Sequence, residues 1–208
     1  MKITFTTLFM LISIATLAQD KTTIKATDTD SHCFGKHSNV FTVAVGLPYD
    51  IKNAIINQGK YSYRNDYQIV ALYLKYERAL TKNIGIGISF GYCGYSKNLQ
   101  SGTDYIHGTL RVYSVTPSLS YHLGRFLELK KVDPYISAGA TFRGVDNYFD
   151  KHPNSNYDNN SFTDILPAVR LGARVYLLNF SKVDFGFSGE LGFDGMSFFS
   201  LGIMCRGF

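Results

Sequence analysis

Three polar residues near the middle of the chain have the side chains that acyl transfer uses. Ser118, Ser120 and His122 alternate along the sequence, so a β-strand would place all three on one face. A serine hydroxyl beside an imidazole base is a nucleophile and its activating partner, able to attack a lipid ester. Whether such a pair could meet a lipid depends on which way that face points.

Two other segments carry ligand-type side chains. His32, Cys33 and His37 are close in sequence but lack the paired C-x-x-C spacing of a zinc site. The Asn- and Asp-rich segment 147–164 lacks the residue order of a calcium loop, and we expect it to be a solvated surface loop. The sequence therefore predicts no metal and no cofactor, and three cysteines are too few for a disulfide framework.

Strands with one apolar face recur along the chain. In NIGIGISFGYCGY, residues 83–95, isoleucine, phenylalanine and tyrosine occupy one face, while the other carries mostly glycine and serine. Each such segment is near the roughly 9–11 residues that a tilted strand needs to cross a bilayer. The segments are 39–46, 67–77, 83–95, 110–123, 134–144, 164–176, 182–193 and 197–208. They predict an all-β, eight-stranded antiparallel up-and-down transmembrane β-barrel.

The predicted connections alternate in length. Compact turns are expected at 78–82, 124–133 and 177–181, and longer loops at 47–66, 96–108 and 145–163. Short periplasmic turns and longer extracellular loops are typical of outer-membrane barrels. The last connection, near 194–196, is tight and departs from this trend.

The N-terminus has the composition of an export signal. Lys2 precedes an apolar stretch that ends in Thr16-Leu17-Ala18, a small-residue cleavage site. We therefore predict a secretory signal peptide at 1–18, a polar, flexible leader at 19–38 and an outer-membrane barrel domain at 39–208. The net charge of +5 is scattered along the chain, which gives no indication of nucleic-acid binding.

The charged residues of the strands avoid the apolar face. Arg111 is the exception, at the outer end of its strand. A lysine or arginine facing lipid costs about 2–4 kcal/mol at the bilayer midplane, so this pattern indicates lipid outside and ions inside. A soluble lipocalin-type barrel is the alternative, but it would leave a glycine-rich face in water. The predicted lumen charges are Lys75, Glu77, Arg143, Arg170, Arg174, Asp184, Glu190 and Arg206.

Hairpin geometry places some of these charges together. Turns centred near Asn179 and Gly195 would put Asp184 between Arg174 and Arg206. Glu190 would then lie close to Arg170. Because buried charges need partners, we expect a salt-bridge plug; a gated ion or proton path is the alternative.

Two further expectations concern the barrel wall. His122 would lie at the periplasmic end of the lumen, with poor access to lipid, so catalysis is not expected. Pro117 and Pro167 fall within predicted strands, where local irregularities should follow from their missing N–H groups.

Several stretches carry a resemblance to a known family. YLKYERALTKNIGIGISFGY at 73–92, SLSYHLG at 118–124 and DPYISAGATF at 133–142, together with the exported start, resemble the small outer-membrane β-barrel proteins of Gram-negative bacteria. The resemblance covers nearly all of the mature chain. It implies the fold and an outer-membrane location, but it says little about activity.

The sequence thus favours a non-enzymatic outer-membrane barrel with a plugged lumen. Its expected partners are outer-membrane lipid and lipopolysaccharide, and an envelope protein or a host surface through loops 47–66 and 145–163. Two alternatives remain open: a carrier or narrow conduit for a small apolar molecule, and a lipid-modifying enzyme.

Overall fold

The computed structural model describes residues 34–48, 62–68, 70–101, 104–129, 131–149, 160–180 and 183–207. The predicted signal peptide, most of the leader and Phe208 lie outside these ranges. Among the described residues, no helix is long and apolar enough to span a membrane.

The described chain is built from antiparallel strands. Their bounds are β1 Asn39–Pro48, β2 Ser62–Gln68, β3 Ala71–Ala79, β4 Ile84–Ser101, β5 Asp104–His122, β6 Val132–Phe149, β7 Asn160–Phe180, β8 Val183–Phe193 and β9 Ser197–Gly207.

The strands close into a ring. β2 and β3 pair with successive parts of β4, so together they form one barrel strand with an interruption between them. Each later strand pairs with the next, and β1 pairs with both β3 and β9. The fold is therefore the predicted all-β, eight-stranded antiparallel barrel.

The central strands are longer than the sequence suggested. β4 and β5 pair as far as Ser101 and Asp104, so the long loop predicted at 96–108 is wrong. β6 and β7 pair as far as Asn147 and Asn160, which shortens the loop predicted at 145–163. Polar residues at these strand ends interrupt the apolar alternation in the sequence. The backbone hydrogen bonds continue, because each long strand pairs with a long neighbour.

Burial is inverted relative to a soluble protein. In β1, Val43 is 64% exposed on the outside, whereas Thr42 beside it is 5% exposed in the interior. Ile203 on β9 is 64% exposed, and Asp133 at the start of β6 is 0% exposed. Apolar side chains thus face outward and polar ones inward, as the phase of the alternation predicted.

Glycines on the inward face make room for large polar side chains. A Cβ added at Gly172 would collide with the ring of Tyr135, and one at Gly85 would collide with the carboxylate of Glu77. The nearly empty face of residues 83–95 is thus a requirement of a narrow, filled lumen.

The ladder is interrupted at one of the two prolines. β5 pairs with β6 over Gly108–Val115 and again over Ser118–His122, leaving out Thr116 and Pro117. The hydroxyl oxygens of Thr116 and Thr141 hydrogen-bond across this gap at 2.8 Å. Pro167 lies opposite Ala140 in a continuous register, so the irregularity expected there is absent.

The described end of the predicted leader contacts the barrel through Phe34 and Ser38. Phe34 is 4% exposed and Ser38 is 0% exposed. The Ser38 carbonyl accepts a hydrogen bond from the Ala79 N–H at 2.9 Å, and the Ser38 hydroxyl donates to the Gly35 carbonyl at 2.7 Å. The Phe34 side chain therefore packs into the barrel end, while Lys36 and His37 beside it are exposed.

Replacing Val43 with Lys tests the inverted burial. The exposed Val43→Lys change would be nearly neutral in water, but on a lipid-facing wall it should cost about 2–4 kcal/mol in the free energy of unfolding. Urea unfolding in lipid vesicles measures this. Tyr148→Lys is the control, since Tyr148 is exposed on β6 beyond the outward charged pair of positions Arg111 and Asp146. Equal costs for both variants would contradict a lipid-facing wall.

Candidate functional site

The barrel interior holds several groups of ion pairs, here together called the lumen network. Its members are His122, Lys75, Arg143, Arg170, Arg174, Arg206, Glu77, Asp133, Asp164, Asp184, Glu190 and Asp194. It is described below from the end that carries the short turns to the opposite end.

The first cluster joins β3, β5, β6 and β7. His122 Nε2 is 2.6 Å from Glu77 Oε1, and its Nδ1 is 2.9 Å from Asp133 Oδ2. Arg174 donates to the second oxygen of Glu77, and its Nη1 is 3.8 Å from Asp133 Oδ2. A neutral imidazole has one N–H only, so carboxylates at both nitrogens fit the doubly protonated ring.

Aromatic rings close this end of the lumen. The ring of Phe34 stacks on that of His122 with centroids 3.4 Å apart and planes 8° apart. The Arg174 guanidinium lies over the Tyr135 ring, 4.5 Å from its centroid. These contacts fill the space between the ion pairs with apolar surface.

A separate pair lies at the same end on β8 and β9. Arg206 Nε donates to Asp184 Oδ2 at 2.9 Å, and Asn179 Nδ2 donates to Asp184 Oδ1 at 2.6 Å. The Arg206 guanidinium lies 4.2 Å from the centroid of the Tyr176 ring.

The middle cluster is centred on Glu190. Its Oε2 accepts a hydrogen bond from Lys75 Nζ at 2.5 Å, and its Oε1 accepts one from the Tyr135 hydroxyl at 2.6 Å. Arg170 Nε lies 3.7 Å from Glu190 Oε2, and Arg170 Nη2 donates to Asp194 at 3.0 Å. Arg170 therefore connects the middle of the lumen to the next cluster.

The third cluster is the β8–β9 turn, which is folded into the barrel. Asp194 Oδ1 accepts from the backbone N–H groups of Met196 at 2.9 Å and Ser197 at 2.8 Å. Arg143 donates to the Gly195 carbonyl at 2.8 Å and forms a two-pronged pair with Asp164. The turn is thus held inside by buried charges.

The predicted register was right for two pairs and wrong for a third. Asp184 pairs with Arg206 and Glu190 lies near Arg170, as expected. The expected Arg174–Asp184 pair is wrong, because Arg174 lies opposite Ser188 and Asn179 lies opposite Asp184. β7 continues to Phe180, with a register shift between Tyr176 and Leu178 that the placement of the turn did not include.

All eight predicted lumen charges point into the barrel. Lys75 and Arg143 are partly exposed, and the other six are buried. The sequence reading missed Asp133, Asp194 and Asp164 as partners, and it read the first two as turn residues. The sequence did contain a signal for them: each lies at the end of a strand and alternates in step with the inward-facing residues.

The lumen retains little free space at its centre. A cavity of about 30 Å³ lies among Lys75, Glu77, Arg174, Ser118 and other inward residues. That is room for one or two water molecules. Arg174 Nε and Nη1 are buried without a hydrogen-bond partner, and water in this cavity would supply one.

The serine–histidine arrangement is not set up for catalysis. Both nitrogens of His122 are held by carboxylates, so the ring cannot take a proton from Ser118 or Ser120. Within the described residues, no three side chains of His, Cys, Asp or Glu are grouped to bind a metal. His32 and Cys33 lie outside those residues.

A closed ladder with an apolar exterior and an ion-paired interior fits one environment. In hydrocarbon, backbone groups must pair with one another, which a closed barrel achieves. The chain is a transmembrane β-barrel. No known protein family and no curated protein matches it.

Several solved barrels are similar to the chain. The N-terminal β-barrel domain of OprF from Pseudomonas aeruginosa is 14% identical, covering 83% of this chain and 98% of that one, with a TM-score of 0.40. Ail of Yersinia pestis, crystallised with the heparin analogue sucrose octasulfate, is 15% identical over 83% and 97%, with a TM-score of 0.45. Neisserial surface protein A is 13% identical over 82% and 96%, with a TM-score of 0.42. These likenesses carry no information on function.

The middle cluster can be tested by a double-mutant cycle. Glu190→Leu leaves the mostly enclosed Lys75 beside Arg170 without its carboxylate, so we expect a loss of about 3–5 kcal/mol in the free energy of unfolding. Adding Lys75→Met should recover part of that loss, because the uncompensated charge is then removed. Additive losses, measured by urea unfolding in vesicles, would show that the two side chains do not interact.

Proposed function

We propose that the chain is a non-enzymatic outer-membrane barrel whose lumen is plugged and whose outward end makes contacts. In this proposal residues 1–18 direct export, no cofactor is bound, and the lumen charges have a structural role. The observation that carries it is the lumen network, which runs from Phe34 at one end to the Asp194 turn at the other. The central cavity of about 30 Å³ supports this, since it is too small for a solute path.

Contact through the outer end is supported by the long strands. β4, β5, β6 and β7 continue past the apolar band, and Tyr148 near the end of β6 is 58% exposed. Segment 145–163 partly overlaps β6 and β7, and segment 47–66 partly overlaps β1 and β2. Together the two segments mix Tyr, Phe, Lys and Asn, a composition suited to binding surfaces. Lipopolysaccharide, an envelope protein or a host surface are the partners this composition would suit.

Permeation measurements test the plug. Liposomes containing the wild-type barrel should exclude small sugars. The combined Tyr135→Ala, Arg170→Ala and Arg174→Ala changes remove three large lumen side chains and should admit sugars. Sugar entry through the wild type at the rate of the triple variant would contradict a plugged lumen.

A paired crosslinking experiment tests the contact role. A photoreactive residue at Tyr148 should give defined adducts on intact cells, whereas one at Phe126, which is 81% exposed in a turn at the opposite end, should not give the same adducts. The same species from both positions, or none from Tyr148, would count against contact through the outer end.

One observation favours a second candidate, the carrier of a small apolar molecule. The outer half of the lumen contains a buried apolar cluster: Ala44, Ala71, Tyr73, Cys93, Leu110, Val112, Val145 and Met196. Met196 is 0% exposed within it, so a ligand would have to displace the Asp194–Met196 turn. Saturable binding of an apolar fluorophore that Met196→Ala strengthens would favour the carrier.

A further inference from the structure

The lipid-facing wall has a groove at the outer edge of the apolar band. It crosses β5, β6 and β7 where Tyr113, Gly144 and Thr163 lie side by side. No atom lies within 4 Å of a Cβ built at Gly144, so the missing side chain leaves open space. The outward side chains around it are Tyr113, Val115, Phe142, Thr163 and Ile165, and its volume is about 750 Å³.

The floor of the groove is backbone. Ser114, Arg143 and Asp164 also border it, but they alternate with the outward residues, and Arg143 and Asp164 pair inside the barrel. The groove is therefore an external feature of the wall, separate from the lumen network.

An outward arginine lies just beyond the groove. Arg111 is two residues from Tyr113 on the same face of β5, and it is exposed. Asp146 lies opposite it in the register, but the described residues provide no ion pair to its guanidinium. An unpaired guanidinium at a lipid–water boundary is a good ligand for a phosphate.

We propose that this groove holds an acyl chain of a phosphate-bearing lipid of the outer leaflet, with the phosphate bound by Arg111. The groove lies in the lipid-facing wall, so lipid surrounds it. Arg111 lies at the end of the groove where lipid headgroups are expected. The size falls within the range of small-ligand pockets.

Selectivity for this lipid comes from its phosphate rather than from its acyl chain. An acyl chain that moves from bulk lipid into an apolar groove gains little, because both surroundings are hydrocarbon. The Arg111 contact therefore distinguishes the bound phosphate-bearing lipid from the surrounding lipids. The groove itself is open only because position 144 has no side chain.

Native mass spectrometry of the refolded full barrel tests this with two lipids of equal chains, dioleoyl phosphatidic acid and dioleoylglycerol. The wild type should retain one phosphatidic acid and no dioleoylglycerol. Arg111→Gln should weaken retention roughly fivefold, the equivalent of about 1 kcal/mol. Gly144→Phe should abolish it by filling the groove.

Matched controls separate the site from general effects. Ala138→Phe adds the same ring at an outward position lower on β6, and Arg78→Gln removes an exposed arginine at the opposite end of the barrel. Both should retain lipid as the wild type does, and each variant is first checked for folding by gel mobility before and after heating.

Three results would overturn the proposal. The first is wild-type retention by both Arg111→Gln and Gly144→Phe. The second is equal retention of the two lipids, or displacement of phosphatidic acid by millimolar inorganic phosphate, which would indicate a bare phosphate site. The third is a dimer abolished by Gly144→Phe, which would assign the groove to a second copy of the chain.

Discussion

The closed backbone ladder is the constraint on which the rest of the structure depends. Hydrocarbon offers no hydrogen-bond partner, so an unpaired strand edge inside a bilayer would cost several kcal/mol per group. Pairing of β1 with β9 closes the ring. Once the ring is closed, each side chain faces either the lipid or the lumen. A register slip of one residue would turn every side chain of that strand to the opposite side.

The content of the lumen follows from this division of the side chains. Eight strands enclose a space that side chains can fill, and the charged residues excluded from the lipid side must share it. They do so as alternating cations and carboxylates, with Tyr135 and Phe34 packed between them and glycines opposite the largest groups. Six cationic and six anionic side chains, with His122 counted as protonated, leave the described network electrically balanced.

The sequence predicted the faces well and the register less well. Period-two alternation assigns Val43 and Thr42 to opposite sides because the cost of a misplaced charge is large and local. The position of the β7–β8 turn has no comparable signal: it lies beyond Phe180 rather than near Asn179, and Arg174 is therefore opposite Ser188 instead of Asp184. Contacts across the lumen, such as His122 with Glu77, depend on the closed shape and on no single strand. Asp133 and Asp194 were assigned to connections between strands, where side chains are usually solvated, so their burial in the ends of the barrel was not predicted.

The central claim is that lipid surrounds the apolar face while the lumen excludes it. The chain has no tryptophan, so single-tryptophan variants report one position each. Leu74 and Tyr73 are neighbours on β3, 38% and 3% exposed respectively, and they differ chiefly in the face they occupy. In vesicles whose lipids carry brominated acyl chains, the fluorescence of Leu74→Trp should be strongly quenched and that of Tyr73→Trp should be largely retained. Equal quenching, or stronger quenching of Tyr73→Trp, would contradict the assignment of the two faces.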